Sequence, residues 1–145
     1  DDNYDFKIGK GVVLREGSDV TLMGTGYMVH KALEAASLLE QEGILATVVD
    51  IHTIKPIDTQ LILDCARKTG AIVTAEEHSI YGGLGSAVAE VLAQSESVPL
   101  EMAGLTDYAE SGGYEQLLEK YGLDAKSIAA KAKKAVARKQ KNTGG

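Results

Sequence analysis

Cysteine is almost missing from this 145-residue chain: Cys65 stands alone. One thiol builds neither a disulfide framework nor a cysteine-based zinc cluster. No run of about 18 apolar residues occurs, which excludes a membrane-spanning helix. The opening Asp1-Asp2-Asn3-Tyr4-Asp5 lacks the basic-then-apolar pattern of a secretory signal, and it lacks an initiator Met. The chain therefore reads as a processed protein or a piece of a longer one, with a reducing, cytoplasmic setting as the expectation. Acids are missing after Asp124, where Lys126, Lys131, Lys133, Lys134, Arg138, Lys139 and Lys141 supply +7. Against a net charge of −6, the rest of the chain carries −6 − 7 = −13. So acidic a body argues against a phosphate-backbone binder, hence no nucleic acid. The basic end suits the C-terminal dipole of its own helix, with contact to an acidic partner as the alternative. No solenoid repeat and no long linker is visible.

What is there alternates between short and long segments. Residues 11–16 and 20–23 read as strands, with Gly17-Ser18-Asp19 between them. So short a turn predicts that these two strands pair antiparallel. Gly24-Thr25-Gly26 opens a helix with Met28, Val29, Ala32, Ala35, Ala36 and Leu39 on one face and Lys31, Glu34 and Glu40 on the other. Gly43 is placed to end it. The apolar run 46–51 reads as a strand buried on both faces. Asp58 can cap a helix bearing Leu61, Ile62, Cys65 and Ala66, which stops at Gly70. Residues 71–75 repeat the strand pattern, Gly82-Gly83-Leu84-Gly85 opens a third helix, and 98–103 reads as a last strand. A short helix around 114–121 ends at Gly122, and Asp124 caps a final Ala/Lys-rich helix. The expectation is an α/β, three-layer α/β/α fold with a mixed five-stranded sheet, four strands parallel and one antiparallel. Residues 1–9 read as a linker from a missing upstream domain, 10–140 as the domain and 141–145 as a flexible tail.

Ligands of such sheets sit beyond the carboxyl ends of the parallel strands. Three segments fall there. Gly24, Thr25 and Gly26 form a strand-to-helix turn able to hold an anion on helix-start amides. Val29 replaces the third glycine of the dinucleotide fingerprint, however, and the bland reading is a tight turn. Asp50 and His52, with Lys55 nearby, offer acid–base groups or simply a polar loop. Glu76, Glu77 and His78 concentrate titratable groups; on a continuous strand the two glutamates point to opposite faces. A metal held by His78, one Glu and perhaps His52 has no recognised spacing. No nucleophile is set up: Ser79 lacks an elbow motif, and Cys65 sits on an apolar helix face. The residues supply no complete catalytic set. They leave a free-standing nucleotide- or anion-binding module as one reading.

Three stretches together carry a resemblance. They are residues 48–58 (Val48-Val49-Asp50-Ile51-His52-Thr53-Ile54-Lys55-Pro56-Ile57-Asp58), the run from Thr69 through Glu76-Glu77-His78 to Gly82-Gly83-Leu84-Gly85-Ser86-Ala87, and Gly104-Leu105-Thr106-Asp107 with Glu110-Ser111-Gly112 and Tyr121-Gly122-Leu123. Over residues 10–137 the chain resembles the C-terminal domain of transketolase, particularly the form split into two subunits. Related domains end 1-deoxy-xylulose-5-phosphate synthase and the β subunits of 2-oxoacid dehydrogenases. The resemblance implies two-carbon ketol transfer between sugar phosphates, as in the pentose phosphate pathway, using thiamine diphosphate and a divalent cation. It implies that neither is held by this domain alone. The upstream pyrimidine-binding and diphosphate-binding domains or subunit would hold them, in a homodimer or heterotetramer. No catalytic residue is carried onto this sequence. Glu77, His78, Ile80, Tyr81, Gly82 and Gly83 are candidate interface residues, because interface cores favour aromatics and glycines let backbones approach.

Overall fold

The computed structural model describes residues 9–79, 83–105 and 114–144. In chain order the elements are β1 (Val12–Arg15), β2 (Val20–Gly24), α1 (Met28–Glu40), β3 (Ala46–Asp50), α2 (Thr59–Thr69), β4 (Ile72–Ser79), α3 (Leu84–Gln94), β5 (Leu100–Leu105), α4 (Tyr114–Lys120) and α5 (Ala125–Gly144). They build one five-stranded sheet of order β1-β3-β2-β4-β5. Strands β2 to β5 run parallel, and β1 lies antiparallel at one edge. The expected class is therefore the observed one.

The partner of β1 differs from the expectation. It pairs with β3, Val13 opposite Val49, and does not pair with β2. Gly17 makes this possible. Its N–H donates to Thr47 Oγ1 at 2.9 Å and its carbonyl accepts from the same hydroxyl at 2.6 Å. A Cβ on Gly17 would lie 2.5 Å from Ala46 N, so only glycine lets the chain cross the start of β3. Asp19 then pins the crossing: its N–H donates to the Leu45 carbonyl at 2.9 Å, and its carboxylate accepts from the Leu45 N–H at 2.7 Å. A short loop can thus step over one strand and keep the reversed direction.

Two apolar layers flank the sheet. Val20, Leu22, Val48, Val73 and Ala75 meet α1, α4 and α5 on one face. Met23, Val49, Ile51 and Ile72 meet α2 and α3 on the other. Ala32, Ala35, Ala36, Ala129, Ala132 and Ala135 are all buried, so small side chains fill much of the space between α1 and α5. Lys31 is a correction: expected on the polar side of α1, it is 7% exposed. Its apolar stem is covered while its ammonium reaches Glu115 of α4 at 3.3 Å and Glu34 at 3.6 Å.

Caps follow the sequence signals. Asp58 accepts from the Leu61 N–H at 3.1 Å to start α2, and Gly70, with φ 71°, ends it. Asp124 accepts from the Ser127 N–H at 3.1 Å to start α5. Helix α5 continues through Gly144, across residues the sequence reading gave to a tail. Its cations turn back onto the molecule. Lys133 pairs with Glu42 at 2.7 Å and Arg138 with Glu101 at 2.7 Å. Lys139 donates to the carbonyls of Asp19 at 2.7 Å and Thr69 at 2.8 Å.

Candidate functional site

Strand order reverses between β2 and β4. The chain leaving β2 crosses to β3 over one face, and the chain leaving β4 crosses to β5 over the other. The carboxyl ends of these two strands therefore border the crevice where such sheets accept ligands. Gly24 and Ala75 are neighbours there, and the Thr25 N–H donates to the Ala75 carbonyl at 3.3 Å.

The Gly24-Thr25-Gly26 segment is explained by packing. A Cβ on Gly24 would lie 3.1 Å from the Met28 carbonyl and the Val29 nitrogen. Gly26 adopts φ 56°, which favours glycine. The N–H groups of Met28, Val29 and His30 already donate to the carbonyls of Thr25, Gly26 and Tyr27. The Glu77 carboxylate lies beside Gly26, 3.7 Å from where its Cβ would be. A negative charge at that position opposes an anion, so the turn needs no ligand to account for its glycines.

Strand β4 runs on through Glu76, Glu77 and His78, and the alternation holds. Glu77 projects toward α1. Glu76 projects under α3, is 1% exposed, and accepts from the N–H groups of Leu84 and Gly85 at 2.8 Å each. A carboxylate is well matched to the positive end of a helix. Helix α3 has no side-chain cap of its own, because Gly83 occupies the N-cap position. Sequence reasoning counted Glu76 as a candidate for the cleft and missed this tether. The available signal was a strand-end acid eight residues before a helix that opens on glycines. Next to it, a Cβ on Gly85 would meet Met102 Sδ at 2.8 Å, so α3 lies close against β5.

The remaining candidates separate. Asp50 and His52 come together, Nδ1 to Oδ1 4.0 Å, with side chains 17% and 13% exposed. Lys55 is exposed and lines an open groove between α2 and α3. The backbone of His78 belongs to β4, and its side chain lies outside the described structure. Ile80, Tyr81 and Gly82 lie outside the described residues, while Gly83 is the α3 N-cap. Burial pushes the Cys65 thiol up, offset in part by a hydrogen bond with Thr21 and the charge of Lys68. The hydrogen bond and charge of Lys68 hold the exposed Glu16 carboxyl below its ordinary value. Among the described residues no group of three or more His, Cys, Asp or Glu is arranged to hold a metal ion. No helix there is long and apolar enough to cross a membrane.

Comparison with known proteins identifies the family. Residues 9–128 match the transketolase C-terminal domain family. The 6-deoxy-6-sulfo-D-fructose transketolase subunit of Clostridium sp. (strain MSTE9) is 48% identical over 139 residues, 95% of this chain and 43% of that protein. A 1-deoxy-D-xylulose-5-phosphate synthase of Heliobacterium modesticaldum is 48% identical over 129 residues, 87% of this chain and 20% of that one. A solved split-gene transketolase, described as an inactive beta4 tetramer, superposes with a TM-score of 0.92 at 50% identity. It covers 96% of this chain and 46% of its own. The chain thus spans less than half the length of these relatives. It belongs to the transketolase C-terminal domain family.

Proposed function

We propose that this chain is the C-terminal, non-catalytic part of a thiamine-diphosphate-dependent transketolase of the split type, cytoplasmic in location. There it supports domain packing and subunit assembly. One observation carries this reading: the most acidic stretch of the sheet edge is used internally, Glu76 being committed to two amides of α3. The buried acid of that stretch serves the fold. The similar proteins named as subunits or split-gene products support the split form, since this chain covers 43% and 46% of two of them. Thiamine diphosphate and its divalent cation, which would supply the carbanion chemistry of ketol transfer, belong under this reading to the upstream domains. This chain's residues hold neither. Glu77, His78, Ile80, Tyr81, Gly82 and Gly83 are proposed to meet a neighbouring domain or subunit.

The test is a ketol-transfer assay with thiamine diphosphate and magnesium. The isolated chain is expected to turn over no sugar phosphate, and the complete assembly is expected to be active. Turnover by the chain alone overturns the reading. The second reading is the end of a 1-deoxy-xylulose-5-phosphate synthase, favoured by the 48% identity with one such enzyme. An upstream region leaving this chain about 20% of the whole would decide for it, as in that relative.

A further inference from the structure

Strand β5 is an edge of the sheet: its inner side pairs with β4, and no described strand pairs with its outer side. The Ile72 N–H donates to the Pro99 carbonyl at 3.0 Å, toward β4. Neighbouring carbonyls along a strand point to opposite sides, so the Leu100 carbonyl faces outward. An outward row of backbone groups is a template for a further strand. Beside it lies an open hollow of about 270 Å³, lined by Leu92 and Ala93 of α3, by Val98 and Leu100, and by Arg138 of α5. Backbone groups to pair with and an apolar recess for a side chain are the two parts that strand addition uses.

The two edges of the sheet differ. At β1 a register shift between Val13 and Arg15 interrupts the edge, which hinders pairing with another strand. From Leu100 to Ala103, β5 keeps an unbroken register with β4 and has no such interruption. One side chain takes its place. Arg138 donates to the Leu100 carbonyl at 3.0 Å and to the Glu101 carboxylate at 2.7 Å. The Glu101 side chain is 11% exposed, and Lys134 lies 3.6 Å from its other oxygen. Seven cations follow Asp124, and Arg138 is the only arginine among them. Its planar fork of donors suits a carbonyl and a carboxylate held together, where a lysine offers a point charge. The Arg138 side chain is half exposed, so its ion pair adds little to stability. Its place is better accounted for by what it covers, since an added strand would need the carbonyl that it takes.

We propose that Arg138 is an edge guard: seated on the Leu100 carbonyl beside the hollow, it keeps β5 from pairing with the β5 of a second copy. Two such edges meet antiparallel about a two-fold axis, so each copy presents the other with a matching strand. The proposal does not depend on the enzymatic assignment.

The experiment is sedimentation velocity of the full-length protein over a wide range of concentration. Arg138→Ala should form larger species than wild type as concentration rises, while its Tm moves by no more than about 4 °C. Ala93→Lys adds a charge to the hollow at an exposed position. Placed on Arg138→Ala, it should return sedimentation to the wild-type pattern. Wild-type sedimentation by Arg138→Ala at every concentration overturns the proposal. So does association that persists in the double variant, because it then runs through another surface. A loss of Tm well beyond that limit overturns it as well, since Arg138 would then be holding the fold together.

Discussion

At the scale of single residues, Glu76 ties the start of α3 to β4. Among the described residues it is the one buried carboxylate, and its two oxygens satisfy two donors that the helix itself leaves without partners. Glu76→Gln keeps the volume but turns an amide N–H₂ toward a backbone N–H. The expected loss is about 1–3 kcal/mol in denaturant unfolding. Glu76→Ala, which also opens a cavity, should lose more. Equal midpoints for wild type and Glu76→Gln would remove the carboxylate from the argument. Lys31 offers a pH test. Burial is the largest influence on it and opposes its charge, but the hydrogen bond to Glu115 and the charges of Glu34 and Glu115 together raise its pKa above the ordinary 10.5. A raised pKa in the folded state means that the stabilisation is complete below 10.5 and is lost as pH climbs through the folded value. The gap in Tm between wild type and Lys31→Met should therefore shrink in strongly alkaline buffer and stay constant below it. Sequence alone could not place Lys31, because periodicity assigns a face to the residue and not to its ammonium. Glu76 was hidden for a related reason: a strand-end acid reads as a ligand until the helix it caps has been positioned.

At the scale of elements, the periodic signals were dependable. Asp58, Asp124, Gly70 and Gly122 mark helix ends by local chemistry that no tertiary contact has to supply. Strand pairing was different. The turn at 17–19 is short enough for a hairpin, and nothing in its composition says that β3 will slide between β1 and β2. What decides is the absence of a side chain at Gly17, where even a methyl group would overlap the Ala46 backbone. Gly17→Ala should cost about 2–4 kcal/mol, comparable to the larger core defects, although the residue is only partly buried. A loss below 0.5 kcal/mol, the range of ordinary surface changes, would show that the crossing can relax. The ion pairs of α5 with Glu42 and Glu101 are exposed on at least one side and contribute at most about 1 kcal/mol each. Burial of the α1–α5 alanines, and not those pairs, holds that layer in place.

At the scale of the whole molecule, the chain builds an apolar core on each face of its sheet and is a minority of each relative by length. If the 77–83 segment meets a neighbouring subunit, Tyr81→Asp in the full-length protein should shift sedimentation equilibrium toward smaller species while thermal unfolding of this domain stays unchanged. Equal sedimentation would direct attention to another face.

Lys139 joins parts of the chain that lie far apart in sequence. Its ammonium holds carbonyls that lie 120 and 70 residues earlier in the chain. A ribosome delivers those carbonyls before the lysine. Until the final helix emerges, the carboxyl end of α2 and the alanine-lined face of α1 remain open to water.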